Sequence, residues 1–167
     1  TRDAIINLEN KQVAGYVLDL RSNPGGLLES SIDISRHFIN KGIIVSTLSK
    51  DGSKEIKKGN GKALTNKPLV VLVNEGSASA SEIVSGAIKD NKRGKLVGKK
   101  TFGKGLVQSM RTLVDGSGLT VTVAKYLTPN GTDINKSGII PDIEVKMNSN
   151  PILQKEIGTR KDNQYKA

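Results

Sequence analysis

No cysteine occurs in these 167 residues, and His37 is the single histidine. The first absence excludes a cysteine protease, and the second excludes a metal site built from several histidines. A chain free of cysteine fits either redox compartment. Aromatic residues are only 3% of the chain, too few for a stacking platform on single-stranded nucleic acid. No run of about 18 apolar residues occurs, so no segment has the length and composition of a membrane-spanning helix. The opening residues, Thr1 to Ile6, lack both a methionine and a signal-peptide pattern. The expectation is a fragment whose address has been removed.

What remains describes one globular domain: 25% charged residues, 35% hydrophobic ones, and enough length for a real core. The net charge is +10. The lysines are scattered through two polar stretches, Lys54 to Lys62 and Lys89 to Lys100, rather than interleaved with aromatics. That pattern argues against nucleic acid as a partner and for a solvated basic surface. Such a surface suits an acidic partner or peripheral association with an anionic membrane.

Periodicity and turn signals divide the chain. Residues Ala4 to Asn10 read as the end of a helix and Gly15 to Leu20 as a strand. Leu27 to Ile39 reads as an amphipathic helix with Leu28, Ile32, His37 and Ile39 near one side. Strands follow at Ile43 to Leu48, Leu69 to Val73 and Lys95 to Val97, with a polar hairpin-like stretch from Ser49 to Thr65. A helix from about Ser79 to Asp90 follows the most apolar strand. Two late strands, Leu106 to Leu113 and Leu119 to Tyr126, flank Asp115-Gly116-Ser117-Gly118, a strong hairpin signal. Ile140 to Val145 is expected as a last strand, and the polar tail from Asn148 has weak helical character. Alternating strands and helices early, with hairpins late, predict a mixed α/β core.

Three segments carry chemistry. Asn23-Pro24-Gly25-Gly26 ends a buried-looking strand, and its glycines can bring backbone N–H groups close to a bound atom. That suits half of an oxyanion hole, although an ordinary tight turn has the same composition. Next, Ser77-Ala78-Ser79-Ala80-Ser81 joins an apolar strand to a helix. A serine there meets free N–H groups and the positive end of the helix dipole. The spacing of Ser79 and Glu82 also matches a plain capping box, and the residues alone do not choose among Ser77, Ser79 and Ser81. Lastly, Gly103-Lys104-Gly105 offers an amine for general-base work. A base must be neutral, so burial, with the flanking glycines allowing close packing around the amine, or a nearby cation is expected to lower the pKa of Lys104. If a strand starts at Lys104, residues 104, 106 and 108 share a face, and Gln108 can orient the amine. Serine with lysine is one of few ways to activate a hydroxyl without histidine. His37, beside Phe38 in a helix with no glycine-rich context, reads as an ordinary helix residue.

Four motifs stand in order: Asp19-Leu20-Arg21-Ser22-Asn23-Pro24-Gly25-Gly26-Leu27, Asn74 to Ile83, Thr101-Phe102-Gly103-Lys104-Gly105, and Tyr126-Leu127-Thr128-Pro129-Asn130-Gly131. Together they resemble the carboxyl-terminal processing peptidases, tail-specific serine proteases with a Ser/Lys dyad (family S41), over about Gly15 to Val145. The resemblance implies Ser79 as nucleophile, Lys104 as base, Gln108 as its orienting partner, and an oxyanion hole from Ala80 and Gly25. It implies a crotonase- or Clp-protease-like β/α core and endopeptidase action on C-terminal tails of envelope or thylakoid-lumen proteins. The implied setting is extracytoplasmic: periplasm, cell envelope or thylakoid lumen. No cofactor and no metal are expected, and a homo-oligomer is compatible with the family. Members carry a PDZ domain and a helical lid region, neither of which occurs in residues 1–167, so the chain is expected to be a catalytic core. A non-catalytic peptide- or ligand-binding module on the same fold is the alternative.

Overall fold

The element that organises the molecule is β4 (Leu69–Val73), five consecutive aliphatic residues of which four are buried. A run without polar alternation belongs in the middle of a parallel sheet covered on both faces. In the computed structural model, which describes residues 1–146 and 157–167, β4 lies between β1 (Tyr16–Asp19) and β5 (Lys95–Gly98). β8 (Ile143–Glu144) completes a four-stranded sheet in the order β1-β4-β5-β8. All three pairings are parallel, with Asp19 beside Leu72 and Val73 beside Gly98. The last strand is shorter than expected because Pro141 has no N–H to give; hydrogen bonding resumes at Asp142, whose N–H reaches Leu96 O.

The register decides where chemistry can occur. β1, β4 and β5 end side by side, so the turns after them, 20–27, 74–79 and 99–105, are neighbours in space. Those turns hold three of the motifs. The carboxyl ends of parallel strands are where open α/β sheets place their sites.

α2 (Leu28–Phe38) and α3 (Ala80–Asp90) pack on each other against this sheet. Their shared face is built from small residues. Ser31 and Ser35 on α2 and Ser85 on α3 are buried, and each turns its hydroxyl onto a carbonyl of its own helix. This satisfies the oxygens while keeping the helix surface small. The sequence pattern placed His37 on the apolar side. Instead Phe38 enters the core and His37 is half-buried near the far end of α2 from Gly26. Ile32, Ile44, Val71, Ile83, Ile88 and Leu96 are fully buried at the centre.

The second sheet is antiparallel, β3-β2-β7-β6, from Lys54–Lys58, Ile43–Ser49, Gly118–Leu127 and Leu106–Thr112. The polar stretch 49–65 thus supplies a real strand, and the hairpin at Asp115-Gly116-Ser117 forms as expected, with Asp115 Oδ1 accepting from both the N–H and the hydroxyl of Ser117. The chain begins with α1 (Arg2–Asn10), where Glu9 accepts from Tyr16 Oη (2.6 Å) and pairs with Lys67. The expected weak helix of the tail falls partly outside the described residues; within them α4 spans Asn163–Lys166.

Candidate active site

The turn after β1 is braced before it reaches Gly25. Ser22 adopts a left-handed conformation (φ 54°), and its N–H donates to Asn74 Oδ1 at 2.7 Å. Asn74 also donates to Ser22 Oγ (3.2 Å) and accepts from Gly76 N–H (3.0 Å), so one amide ties two turns together. Asn23 O receives Ala78 N–H at 3.0 Å and the Ser81 hydroxyl at 3.1 Å.

Gly25 then lies directly on the serine turn. Its φ of +101° is costly for any residue with a Cβ. A methyl group there would come within 2.6 Å of Ala78 O, 2.8 Å of Ala80 N and 2.9 Å of Ser79 Cβ. The glycine therefore keeps space open beside the Ala80 N–H, for which the described residues provide no acceptor. The Gly25 N–H is engaged: it donates to Asn23 Oδ1 at 2.9 Å. As a hole donor it has to leave that acceptor.

The three serines separate cleanly by their surroundings. Ser77 is fully buried, donates to Leu20 O at 2.6 Å and accepts from Asn74 N–H at 3.0 Å, which makes it a bolt between β1 and β4. Ser81 is buried and bonded to Asn23 O. Ser79 is half-buried at the N-cap of α3 with φ 55° and ψ −115°, a conformation rare for a residue bearing a side chain. Strain of this kind persists only where the surroundings over-determine it, and here they do.

The over-determining group is Glu82. Its carboxylate is fully buried and receives four hydrogen bonds. Oε2 takes the Ser79 N–H (2.9 Å) and the Lys104 N–H (2.8 Å), and Oε1 takes the Thr101 hydroxyl (2.5 Å) and the Gly103 N–H (2.7 Å). One oxygen thus holds the backbones of residues 79 and 104 together. In the sequence Glu82 shows only as the far member of a capping box, half of the role it has here. Phe102 N–H adds a bond to Ser77 O at 3.0 Å.

Glycines flank Lys104 for a different reason than expected. A Cβ on Gly105 would sit 2.3 Å from Asn135 N, and one on Gly103 about as close as 3.0 Å to Lys136 C. They admit the backbone of residues 134–138, not a pocket around the amine. The Lys104 side chain is exposed, so the burial alternative is not met, and Ser79 Oγ and Lys104 Nζ are not hydrogen-bonded to each other among the described contacts. Gln108 is exposed too. β6 starts at Leu106, and a bulge between Val107 and Gln108 breaks the simple alternation that was to align residues 104, 106 and 108.

A hollow of about 90 Å³ opens beside the serine turn, lined by Gly25, Gly26, Leu27, Ile34, Ala80 and Val84 among others. Leu27 and Phe102, one on each flanking turn, are largely exposed. His37 faces a separate hollow with Arg2, Arg36 and Lys62, and burial together with nearby cations lowers its pKa. Among the described residues, no cluster of three or more histidine or acidic side chains could hold a metal ion.

The sequence pattern of peptidase family S41 matches residues 1–145, and the chain belongs to that family. It is 52% identical over 165 residues to a carboxyl-terminal-processing protease of Synechocystis, covering 98% of this chain and 38% of that protein. It is 50% identical over 144 residues to the chloroplastic carboxyl-terminal-processing peptidase 3 of Arabidopsis thaliana, covering 85% and 28%. A solved photosystem II D1 C-terminal processing protease superposes with a TM-score of 0.82 at 46% identity, covering 86% of this chain and 38% of that one. The chain therefore spans well under half the length of these relatives.

Proposed function

We propose that this chain carries the catalytic site of a serine endopeptidase that cuts proteins near their C-terminal tails. The observation that carries the reading is the shared Glu82 oxygen, which holds the residue-79 and residue-104 backbones together. In this reading Ser79 Oγ attacks the scissile carbonyl and Lys104 Nζ takes the hydroxyl proton. The Ala80 N–H, at the start of α3, and an N–H of the Gly25-Gly26 turn meet the developing oxyanion. The amine returns the proton to the leaving nitrogen. Water, deprotonated by the same lysine, then releases the acyl group.

Lys104 has only to change rotamer. Its backbone is fixed, and a four-carbon stem can swing the exposed Nζ inward. Substrate covering the site would exclude the water around the amine. In this reading Gln108, exposed on β6, meets the amine only in that covered state. The small apolar hollow beside Leu27 and Val84 favours small or apolar side chains next to the cut. The names of the relatives support protein tails as substrates, and the chloroplastic ones support an extracytoplasmic or thylakoid-lumen setting. Residues 1–167 are read as a catalytic core that relies on PDZ and lid segments to capture the tail. Exposed Met110, Leu119 and Val121 on the β6–β7 hairpin and the net charge of +10 are the features open to self-association and to an anionic membrane.

The test is cleavage of an extended peptide by the intact protein and its Ser79→Ala, Ser81→Ala and Lys104→Ala variants. Loss in the first and last, with substantial rate left in Ser81→Ala, is expected. Wild-type turnover by Ser79→Ala would overturn the reading.

A further inference from the structure

Arg21 lies between β1 and the Gly25 turn, with Leu20 separating it from the end of the strand. Its side chain is only 4% exposed. Three carboxylate and amide groups saturate the guanidinium. Asp19 accepts from Nε at 2.9 Å and from Nη2 at 2.6 Å. Asp162 accepts from Nη1 at 3.0 Å and lies 2.7 Å from Nη2, and Gln164 Oε1 accepts from Nη1 at 3.1 Å. The last two come from the opposite end of the chain.

That end is itself built around the contact. Asp162 caps α4, accepting from the N–H groups of Gln164 (3.0 Å) and Tyr165 (3.3 Å), and closes the preceding turn through Gly158 N–H (2.9 Å). Gln164 is 1% exposed, and its Nε2 donates to Val145 O at 2.7 Å. Val145 directly follows β8, and Arg21 follows β1 by one residue. These are the two outer strands of the parallel sheet. Gln164 therefore joins the carboxyl ends of both, the ends that carry the candidate site.

We propose that Asp162 and Gln164 are positioning residues for the reaction, holding the Ser22–Gly26 turn in register through the Arg21 guanidinium. The physical route is short. Arg21 and Ser22 are adjacent, and Ser22, Asn23 and Gly25 contact Asn74, Ala78 and the Ser79–Ala80 peptide. A guanidinium that loses a buried partner seeks another, and its backbone shifts with it. Displacement of a catalytic donor by about 1 Å costs up to roughly a hundredfold in rate. The inference rests on the proposed peptidase reading.

The experiment uses the intact protein with Asp162→Asn, Asp162→Glu and Gln164→Ala, alongside Ser79→Ala. Melting temperature, kcat and KM on one extended peptide are measured for each. The expected result is a roughly ten- to hundredfold fall in kcat for folded Asp162→Asn, a smaller fall for Gln164→Ala, KM within about threefold, and partial recovery in Asp162→Glu. Unchanged kcat in folded Asp162→Asn and Gln164→Ala overturns the proposal, as does a rise in KM alone, which would make the tail a substrate contact. If Asp162→Asn does not fold, Gln164→Ala, which removes an uncharged partner, decides on the same criterion. Activity surviving in Ser79→Ala would instead fail the peptidase reading, so the two failures are distinct.

Discussion

The two halves of the candidate site are held very differently. The serine half sits where β1 and β4 end, and nearly every polar group there is tied: Ser22 to Asn74, Ser77 to Leu20, Ala78 and Ser81 to Asn23, Ser79 to Glu82. The lysine half opens into the antiparallel sheet. Its backbone is tied to Glu82, but the Lys104 and Gln108 side chains are exposed, and the hairpin beyond them leaves Met110, Val114 and Leu119 in solvent. This fold presets the backbones of both halves through Glu82; in the proposed reading one side chain, Lys104, is placed by substrate.

The largest effect should come from the proposed reacting groups. Ser79→Ala and Lys104→Ala are each expected to lower peptide turnover by at least about 10³-fold without unfolding the protein. Lys104→Arg should fail equally, since a guanidinium stays protonated and cannot accept the serine proton. Steady-state rates beside melting curves check this. If Lys104→Arg turned over normally, the lysine half would be mere scaffold.

Next in size is Gly25→Ala. The methyl would meet the Ala78 carbonyl and the Ala80 nitrogen in a left-handed backbone. Strain and overpacking should cost about 2–4 kcal/mol of stability, with turnover lost even where the fold survives. Normal activity in a folded variant would show that the space beside the Ala80 N–H is not used. Glu82→Gln probes the link itself. An amide can accept at one atom only, so its NH₂ would face backbone N–H groups. A fall of about a hundredfold in kcat is expected, larger than any change in KM. An unaffected kcat would mean that the halves need no common tie.

Most of the parallel half was legible in the sequence. An unbroken aliphatic strand and Gly- and Ser-rich turns announce buried strands ending at a site. The choice of Ser79 over Ser77 and Ser81 was not legible from the residues themselves, because all three are small and equally placed in the run. What separates them is long-range: Leu20 O and Asn23 O claim two of the hydroxyls. Glu82 was half visible, as a cap. The bulge at Gln108 left no mark on the alternation, so the shared face of 104, 106 and 108 was a period count that the strand does not keep. The clasp of Arg21 on Asp162, across 141 residues, carries no local signal at all.

Smaller effects separate the two regions under acid. Burial raises the Asp162 carboxyl, but the Arg21 hydrogen bond and the N–H groups of Gly158 and Tyr165 outweigh it, bringing its pKa to about 2. Hydrogen bonds from Thr65, Tyr16 and Lys67 bring Glu9 to about 2 as well. Both folded values lie below those of free carboxyls, so the folded state binds fewer protons. The stability they add is complete above the ordinary carboxylate range and is lost as pH falls from about 4 through 2. Melting temperatures over that range should fall less steeply in Asp162→Asn and in Glu9→Gln than in the parent. Parallel curves would remove these groups from the acid response. The smallest effect is expected at the hairpin: Met110→Thr should leave both melting temperature and kcat nearly unchanged, because that side chain touches solvent.

The preset backbone with a mobile base is tested most directly by the structure of the intact protein with a peptidyl phosphonate bound covalently to Ser79. Lys104 Nζ should then lie within hydrogen-bond reach of Ser79 Oγ, about 3 Å. The Glu82 bonds to the Ser79 and Lys104 N–H groups should keep their lengths of 2.9 and 2.8 Å. An amine still turned to solvent, or a Lys104 backbone that has left Glu82 to reach the serine, would contradict it.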